Sequence, residues 1–237
     1  MLPNDYQPER YQELLDKKVA TVLSLFKALD APEPQIFPSP THSFRMRAEF
    51  RVWHDGEDLN FVMFERERPQ KPITISAFPF GSKGIQAVLE PLRARLQGNA
   101  ALRSKLFQVE FLSTLTGECL VTLIYHRKLD EAWVREALQV EKALNIKVIG
   151  RSRGQKLVVS DDWVTETLQV EGLSFTYKQP EQAFIQPNAK INQEMLRWAC
   201  AHARNSNQDL LELFCGIGNF TIPLSKHYRR VLATEVS

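Results

Sequence analysis

One run, Asp209-Leu-Leu-Glu-Leu-Phe-Cys-Gly-Ile-Gly-Asn-Phe220, limits what the chain can fold into more than any other. Leu210, Leu211 and Leu213 make an apolar strand of the kind that is buried between layers. Gly216 and Gly218 follow as a turn, because a side chain there would block the bend or a ligand's approach. A helix from about Asn219 and a strand over Arg230–Thr234 complete a β-α-β order. The handedness of parallel crossovers then places the turn at the carboxyl edge of a sheet. The dinucleotide fingerprint asks for a third glycine where the chain has Thr221. A lone Gly-x-Gly also serves as a turn that binds nothing. Two carboxylates add to the signal: Glu212 near the end of the first strand, and Glu235 closing the second, where it can accept both hydrogens of a ribose diol. Acid, two-glycine turn and second acid together favour S-adenosylmethionine over NAD.

The 237 residues allow one large or two modest domains. At 43% hydrophobic and 24% charged, the composition excludes wholesale disorder. A net charge of +2 is too small to imply a polyanion partner, so a nucleic-acid surface has to be local. Cys119, Cys200 and Cys215 are odd in number and far apart, which argues against a disulfide framework and a CxxC zinc site. The first ten residues lack the apolar core of a signal peptide, and no apolar run approaches membrane-spanning length. A cytoplasmic, metal-free monomer without a membrane partner is expected.

Upstream, the spacing predicts a helix over Tyr11–Leu29, broken by the proline-rich Ala31–Pro40. From Phe44 the period becomes two, with Phe44, Met46, Ala48, Phe50 and Val52 on one side of a strand. Asp55-Gly56 marks a hairpin turn into a strand over Leu59–Phe64. A helix over Gly84–Leu96, a hairpin of Phe107–Leu115 with Cys119–Tyr125, a helix over Asp130–Leu144 and strands at Ile146–Ile149 and Lys156–Val159 follow. Strands and helices do not alternate regularly, so an α+β sheet domain is expected rather than a doubly wound one. Polar composition from Tyr177 to Gln182 marks a boundary, giving units 1–180 and 181–237. Ile191, Met195, Trp198, Ala199 and His202 mark a helix in the second.

Arg45, Arg47 and Arg51 alternate on one strand face at about 6.6–7 Å, close to the spacing of phosphates along a strand. Glu49 interrupts them and would accept from a base edge or orient an arginine. A solvated face with cross-strand ion pairs fits the same pattern. Phe107 and His126 fall on the second hairpin, where an aromatic and an imidazole can stack on unpaired bases. A single Phe in a strand is equally a core residue. The cysteines read as small buried hydrophobes.

Four segments carry a resemblance: Phe44–Gly56, Lys105-Leu-Phe-Gln108, Phe184-Ile-Gln-Pro-Asn-Ala189 and Asp209–Phe220. Spread from end to end, they make the chain similar to the bacterial tRNA (uracil-5-)-methyltransferases. The resemblance implies an α+β RNA-binding domain followed by the first β-α-β portion of a class I (Rossmann-like) S-adenosylmethionine-dependent methyltransferase domain. It implies cofactor contacts at Gln186, Phe214, Gly216, Asn219 and Glu235, and contacts to the T-arm of tRNA at Glu49, Arg51, Phe107 and His126. The implied reaction adds a cysteine thiolate to C6 of a flipped-out T-loop uridine, methylates C5 and removes the C5 proton with a glutamate. The family's Ser-Cys-Asn-Pro segment and its later glutamate are not found in these 237 residues, so no catalytic residue is assigned. A C-terminally truncated enzyme, inactive alone, is therefore expected, or alternatively a non-catalytic tRNA-binding chaperone.

Overall fold

A computed structural model describes residues 6–65, 70–203 and 207–236. Tyr11–Phe26 forms α1, which buries none of its side chains; Leu25 and Leu29 are among its exposed neighbours, so the apolar spacing makes the helix but no core. The first sheet opens with the hairpin of β1 (Arg47–Asp55) and β2 (Asp58–Phe64), with β3 (Pro72–Thr74) beside β2. Next come α2 (Lys83–Gln97) and the short α3 (Ala100–Arg103), each capped by a polar side chain. Ser82 Oγ accepts from Ile85 N, and Asn99 Oδ1 accepts from Ala101 N and Leu102 N. These caps satisfy amides that have no partner within the helix.

The chain then makes β4 (Leu106–Ser113), β5 (Cys119–Tyr125), α4 (Glu131–Leu144), β6 (Lys147–Ser152) and β7 (Gln155–Val158). The seven strands order as β3-β2-β1-β4-β5-β6-β7, antiparallel except for β5 beside β6, the pair that α4 separates in sequence. The architecture is thus a mixed seven-stranded sheet with helices on one face. Its inner face holds Phe50, Phe61, Val109, Phe111, Val121, Leu123 and Val148 against the apolar sides of α2 and α4. Phe50 meets Phe78 and Phe111 edge-on, an arrangement aromatic pairs favour.

A hairpin that the sequence reading missed, β8 (Trp163–Val170) and β9 (Leu173–Pro180), lies on the opposite face. Its two-residue turn, Glu171-Gly172, has both φ values positive, as a type I′ turn requires. Helix α5 (Ala189–Ala203) packs on β8, followed by β10 (Asp209–Leu213), the four-residue α6 (Thr221–Leu224) and β11 (Arg230–Thr234). β10 and β11 pair in parallel, as the β-α-β reading expects. The expected burial of the β10 strand is not met: Leu211, Leu213 and Leu232 are all about three-fifths exposed. The marked face of α5 is also the outer one, since Ala189, Leu196 and Cys200 are buried while Met195 and Trp198 are exposed. A second core joins Met46, Leu112, Leu120 and Ile149 of the sheet to Val164, Leu168 and Tyr177 of the hairpin and Leu196 of α5. Residues on both sides of the expected boundary at 180 therefore share one core. No helix among the described residues is long and apolar enough to cross a membrane.

Gly150 of β6 sits where the sheet touches α4. A Cβ there would lie 2.5 Å from the Trp133 ring and 2.6 Å from Leu129. Trp133 is fully buried and cannot move aside cheaply. Gly150→Ala is expected to destabilise the protein by about 1–3 kcal/mol through overpacking, read as a lower urea midpoint with an unchanged slope.

Candidate functional site

The glycine-rich turn closes over a small cavity of about 120 Å³. Gln186, Phe214, Gly216 and Asn219 all line it, together with Met46, Glu166, Gln179, Asn192 and Glu212. Gly216 and Gly218 take φ of +56° and +81°, so the left-handed bend supplies the physical reason for glycine at both. Phe214 also adopts positive φ, at +56°, and leaves its ring exposed at the mouth. A non-glycine residue held in that region is strained, a cost that recurs at ligand sites. Glu235 accepts from Gly216 N at 2.6 Å and so ties the end of β11 to the turn. All five residues expected to hold a cofactor thus meet around one bend.

Thr221, which stands where a dinucleotide turn has glycine, donates its hydroxyl to Glu212 and locks the start of α6 to β10. Asn219 and Asn192 exchange two hydrogen bonds, at 2.8 and 2.9 Å, while Tyr177 donates to the Asn219 carbonyl at 3.1 Å. The buried Gln179 Oε1 is different, having no hydrogen-bond partner among the described residues. An orphaned acceptor in a cavity wall costs about 1–3 kcal/mol unless a ligand donor meets it. Glu166 adds a nearly inaccessible carboxylate, held by the amides of Leu115 at 3.0 and 3.1 Å and Thr167 at 2.9 Å. Burial pushes its pKa up despite those amides. The cavity therefore offers acceptors, and it fits a ligand with a cationic or N–H head. Its volume is below the ~300 Å³ lower end for small-ligand pockets. It can hold only the head of a larger ligand.

The second cluster lies on the half of the sheet's outer face that β8 and β9 leave open. A β-bulge between Leu106 and Gln108 makes Phe107 the extra residue of β4. Bulges re-aim side chains, and this one presents Phe107 to the outer face. Its ring stacks on His126 with centroids 4.1 Å apart, and the Arg51 guanidinium carbon lies 4.0 Å from the same centroid. Two groups this close to one ring must take opposite faces. Phe107 is thus the middle of a sandwich, and the outer surfaces of Arg51 and His126 are what a base can meet. Glu49 is exposed one pleat away from Arg51 and stands opposite Glu110 in the register.

The arginine row does not survive as a whole. Arg47 Nη2 donates to the carbonyls of Glu181 and Ala183, at 2.9 and 3.0 Å, and Arg45 Nε donates to the Arg47 carbonyl at 2.8 Å. Burial lowers the Arg47 pKa even with Glu110, Glu181 and Glu49 around it. Arg47 is a structural cation, and of the three only Arg51 joins the platform. Phe44 and Met46 also part company. Phe44 packs toward the first core and Met46 enters the second, because Ser43 at φ +52° and the bridges of Arg45 to Gly81 and Asn188 interrupt the strand.

Comparison with known proteins decides the lineage. A family model described as tRNA (Uracil-5-)-methyltransferase matches residues 10–237. The chain belongs to this family. It is 49% identical over 232 residues to a tRNA/tmRNA (uracil-C(5))-methyltransferase of Acinetobacter baylyi, covering 97% of this chain and 64% of that protein. It is likewise 49% identical over 232 residues to one of Dechloromonas aromatica, covering 98% of this chain and 64% of that protein. The chain thus spans about 64% of the length of these relatives. The crystal structure of a Pyrococcus abyssi tRNA (uracil-54, C5)-methyltransferase shares the fold, with a TM-score of 0.69 at 15% identity over 96% of this chain and 57% of that one. That protein was solved with S-adenosyl-L-homocysteine.

In this family member the loop leading to Gln186 is tied to the sheet through Glu181. Its carboxylate, 3% exposed, takes Arg151 through two bonds at 2.5 and 2.7 Å, Thr122 at 3.0 Å and Lys156 at 3.2 Å. Glu181, Gln179, Glu166 and Asn192 are the residues that sequence reasoning missed. The signal for two of them, Glu166 and Gln179, was the alternation of Val164, Glu166, Leu168 and Val170 and of Phe175, Tyr177 and Gln179, in which buried polar residues masked two strands. Cys119 and Cys200 are buried as expected, and burial pushes the Cys119 thiol up to about 12.

Burial alone would raise the Glu181 pKa. Arg151, with Thr122 and Lys156, outweighs it and holds the carboxyl below the usual glutamate range. The folded value lies below the unfolded one, so this stabilisation is complete above about pH 4.3 and disappears as pH falls through the folded value. Glu181→Gln is expected to cost about 2–3 kcal/mol at pH 7, below the ~3–5 kcal/mol of a fully buried pair because Arg151 keeps about a quarter of its side chain exposed. Urea unfolding of both proteins across pH 3–7 should show the gap closing at the acid end.

Proposed function

We propose that this chain binds the T-loop of tRNA on the Arg51–Phe107–His126 platform and S-adenosylmethionine at the Gly216–Gly218 turn, for methylation of uridine at C5. Family membership supports the reaction, and the names of relatives that are about half identical support the substrate. The observation that carries the cofactor reading is the convergence of Gln186, Phe214, Gly216 and Asn219 on a cavity with an orphaned acceptor, with Glu235 holding the Gly216 amide beside it. In this reading residues 1–180 recognise RNA and residues 181–237 open a class I methyltransferase fold.

When bound, S-adenosylmethionine supplies an electrophilic methyl group. The chain's residues then divide the work of holding it. Gln179 Oε1, buried and unpartnered, would accept from a cationic amino group, with the carboxyls of Glu212 and Glu166 in the same cavity wall. Glu235 accepts from Gly216 N and Val236 N, and as a carboxylate beside the turn it would be the acceptor for ribose hydroxyls. Phe214, exposed at the cavity, would pack against one side of the ligand. Glu49 accepts from a base edge, while Arg51 and His126 stack on unpaired bases.

Binding without turnover by these residues is a second reading, and the cysteines favour it. Cys119 is buried with a raised pKa, Cys200 is buried, and Cys215 donates to the neighbouring Gly216 carbonyl at 3.8 Å. Cys119 and Cys200 are closed off from solvent, and Cys215, in the cavity wall, has its thiol on the Gly216 carbonyl.

Incubation with unmodified tRNA and methyl-labelled S-adenosylmethionine separates the readings: 5-methyluridine shows turnover, and cofactor-tightened tRNA binding without product shows docking alone. RNA affinity indifferent to the cofactor, with no cofactor binding by calorimetry, would refute the cofactor site. Gln179→Leu should weaken S-adenosylhomocysteine binding about tenfold, the effect of one lost hydrogen bond to a charged group. It should leave an analogue lacking the amino group unaffected.

A further inference from the structure

Beside the aromatic platform runs an open groove of about 720 Å³, lined by Val52, His54, Arg103, Lys105, Phe107 and His126 among others. We infer that this groove is a second nucleotide subsite, taking the phosphate and base of an unpaired nucleotide next to the one held on the platform. The inference rests on the reading of Arg51, Phe107 and His126 as an RNA platform and extends it to residues that reading does not use.

The groove is formed by backbone features that a simple hairpin would not need. Lys105 stands in the left-handed region at φ +57°, and its carbonyl accepts from His126 N at 2.9 Å. This kink precedes the bulge at Phe107 and opens the space between the start of β4 and the α3 end. His54 Nε2 donates to the Leu106 carbonyl at 2.9 Å, fixing the far wall. Its volume lies within the ~300–1,000 Å³ that ordinary ligand pockets span, enough for a nucleotide.

Charge decides what kind of ligand suits it. Arg103 is committed, with Nη1 2.9 Å from Glu57 and Nη2 on the Gly56 carbonyl. The exposed Lys105 side chain has no such partner among the described residues, leaving an uncommitted cation in the lining. Val52 and Leu106 supply apolar surface. A cation, an apolar wall and an adjoining aromatic stack are the parts with which proteins track a single nucleic-acid strand. Phe107 and His126 belong to both stack and groove, so a strand crossing the platform runs directly into it.

The test measures binding of an unmodified tRNA by the whole chain across a salt series, for wild type, Lys105→Gln, Ala100→Trp and Phe107→Ala. Ala100 is an exposed lining residue, so tryptophan fills the groove without entering the core. Thermal melts confirm that each variant folds. Lys105→Gln should weaken binding several-fold and lower the slope of log K against log salt by about one, the signature of one lost phosphate contact. Ala100→Trp should weaken binding about tenfold with an unchanged slope. Wild-type affinity and slope in both variants, with Phe107→Ala defective, would overturn the subsite and leave the platform standing. If Phe107→Ala binds normally, the platform fails, and the Lys105 and Ala100 variants still judge the groove by the same criteria. Uridine monophosphate binding as tightly as tRNA would also overturn it, since the groove would then serve a free nucleotide.

Discussion

The carboxylate of Glu181 is the point on which the rest of the arrangement depends. A nearly inaccessible charge is tolerated only when its lone pairs are satisfied, and here Arg151, Thr122 and Lys156 satisfy them from β5, β6 and β7. The backbone beside it is used as well: Glu181 N donates to the Asp162 carbonyl at 2.8 Å, and the Glu181 and Ala183 carbonyls accept from Arg47. The segment between β9 and α5 is therefore pinned side chain and main chain alike to the sheet. Five residues later the same segment presents Gln186 to the cavity. Loss of the Arg151 pair would release the loop that places Gln186 in the cavity wall, not merely a surface ion pair.

β1 carries that constraint to the aromatic platform. Met46 N donates to the Pro187 carbonyl at 2.8 Å, and Met46 lines the cavity; five residues on, Arg51 caps the Phe107 ring. At about 3.3 Å per residue the two points lie roughly 17 Å apart along one strand. A strand within a seven-stranded sheet does not stretch, so the platform and the turn stand at a set separation. A base stacked on His126 cannot also sit at the turn. In the proposed reading, a uridine methylated there would be extruded from a loop bound at the platform. The two clusters would then act on different nucleotides of one loop, the platform being aromatic and basic and the cavity lined with acceptors.

Much of this was legible in the residues. The alternation from Ala48 to Val52, the Asp-Gly turn, the α2 and α4 stripes and the Gly-x-Gly bend each follow from local rules, and the structure meets them. The five cofactor positions and four RNA positions came from resemblance, and the structure draws them into two clusters. What local rules missed was long-range. Nothing within Arg45-Met-Arg47 says that Arg47 turns to carbonyls 134 and 136 residues away. The bulge that lifts Phe107 out of the core is likewise a matter of register with β5.

The β8–β9 hairpin shows why these failures cluster where function does. Its inward positions read Val164, Glu166, Leu168, Val170 on one strand and Phe175, Tyr177, Gln179 on the other. Replacing Glu166 and Gln179 by apolar residues would make the hairpin obvious to pattern reading and would remove a buried carboxylate and an orphaned acceptor. Both instead lie in the wall of the cavity at the glycine turn. Glu166 also receives two bonds from Leu115 N, at the turn of the β4–β5 hairpin whose other end carries Phe107 and His126. Local rules are broken where a sequence serves something other than folding. In this chain the broken positions border the cavity, and their hydrogen bonds lead back through β4 toward the platform.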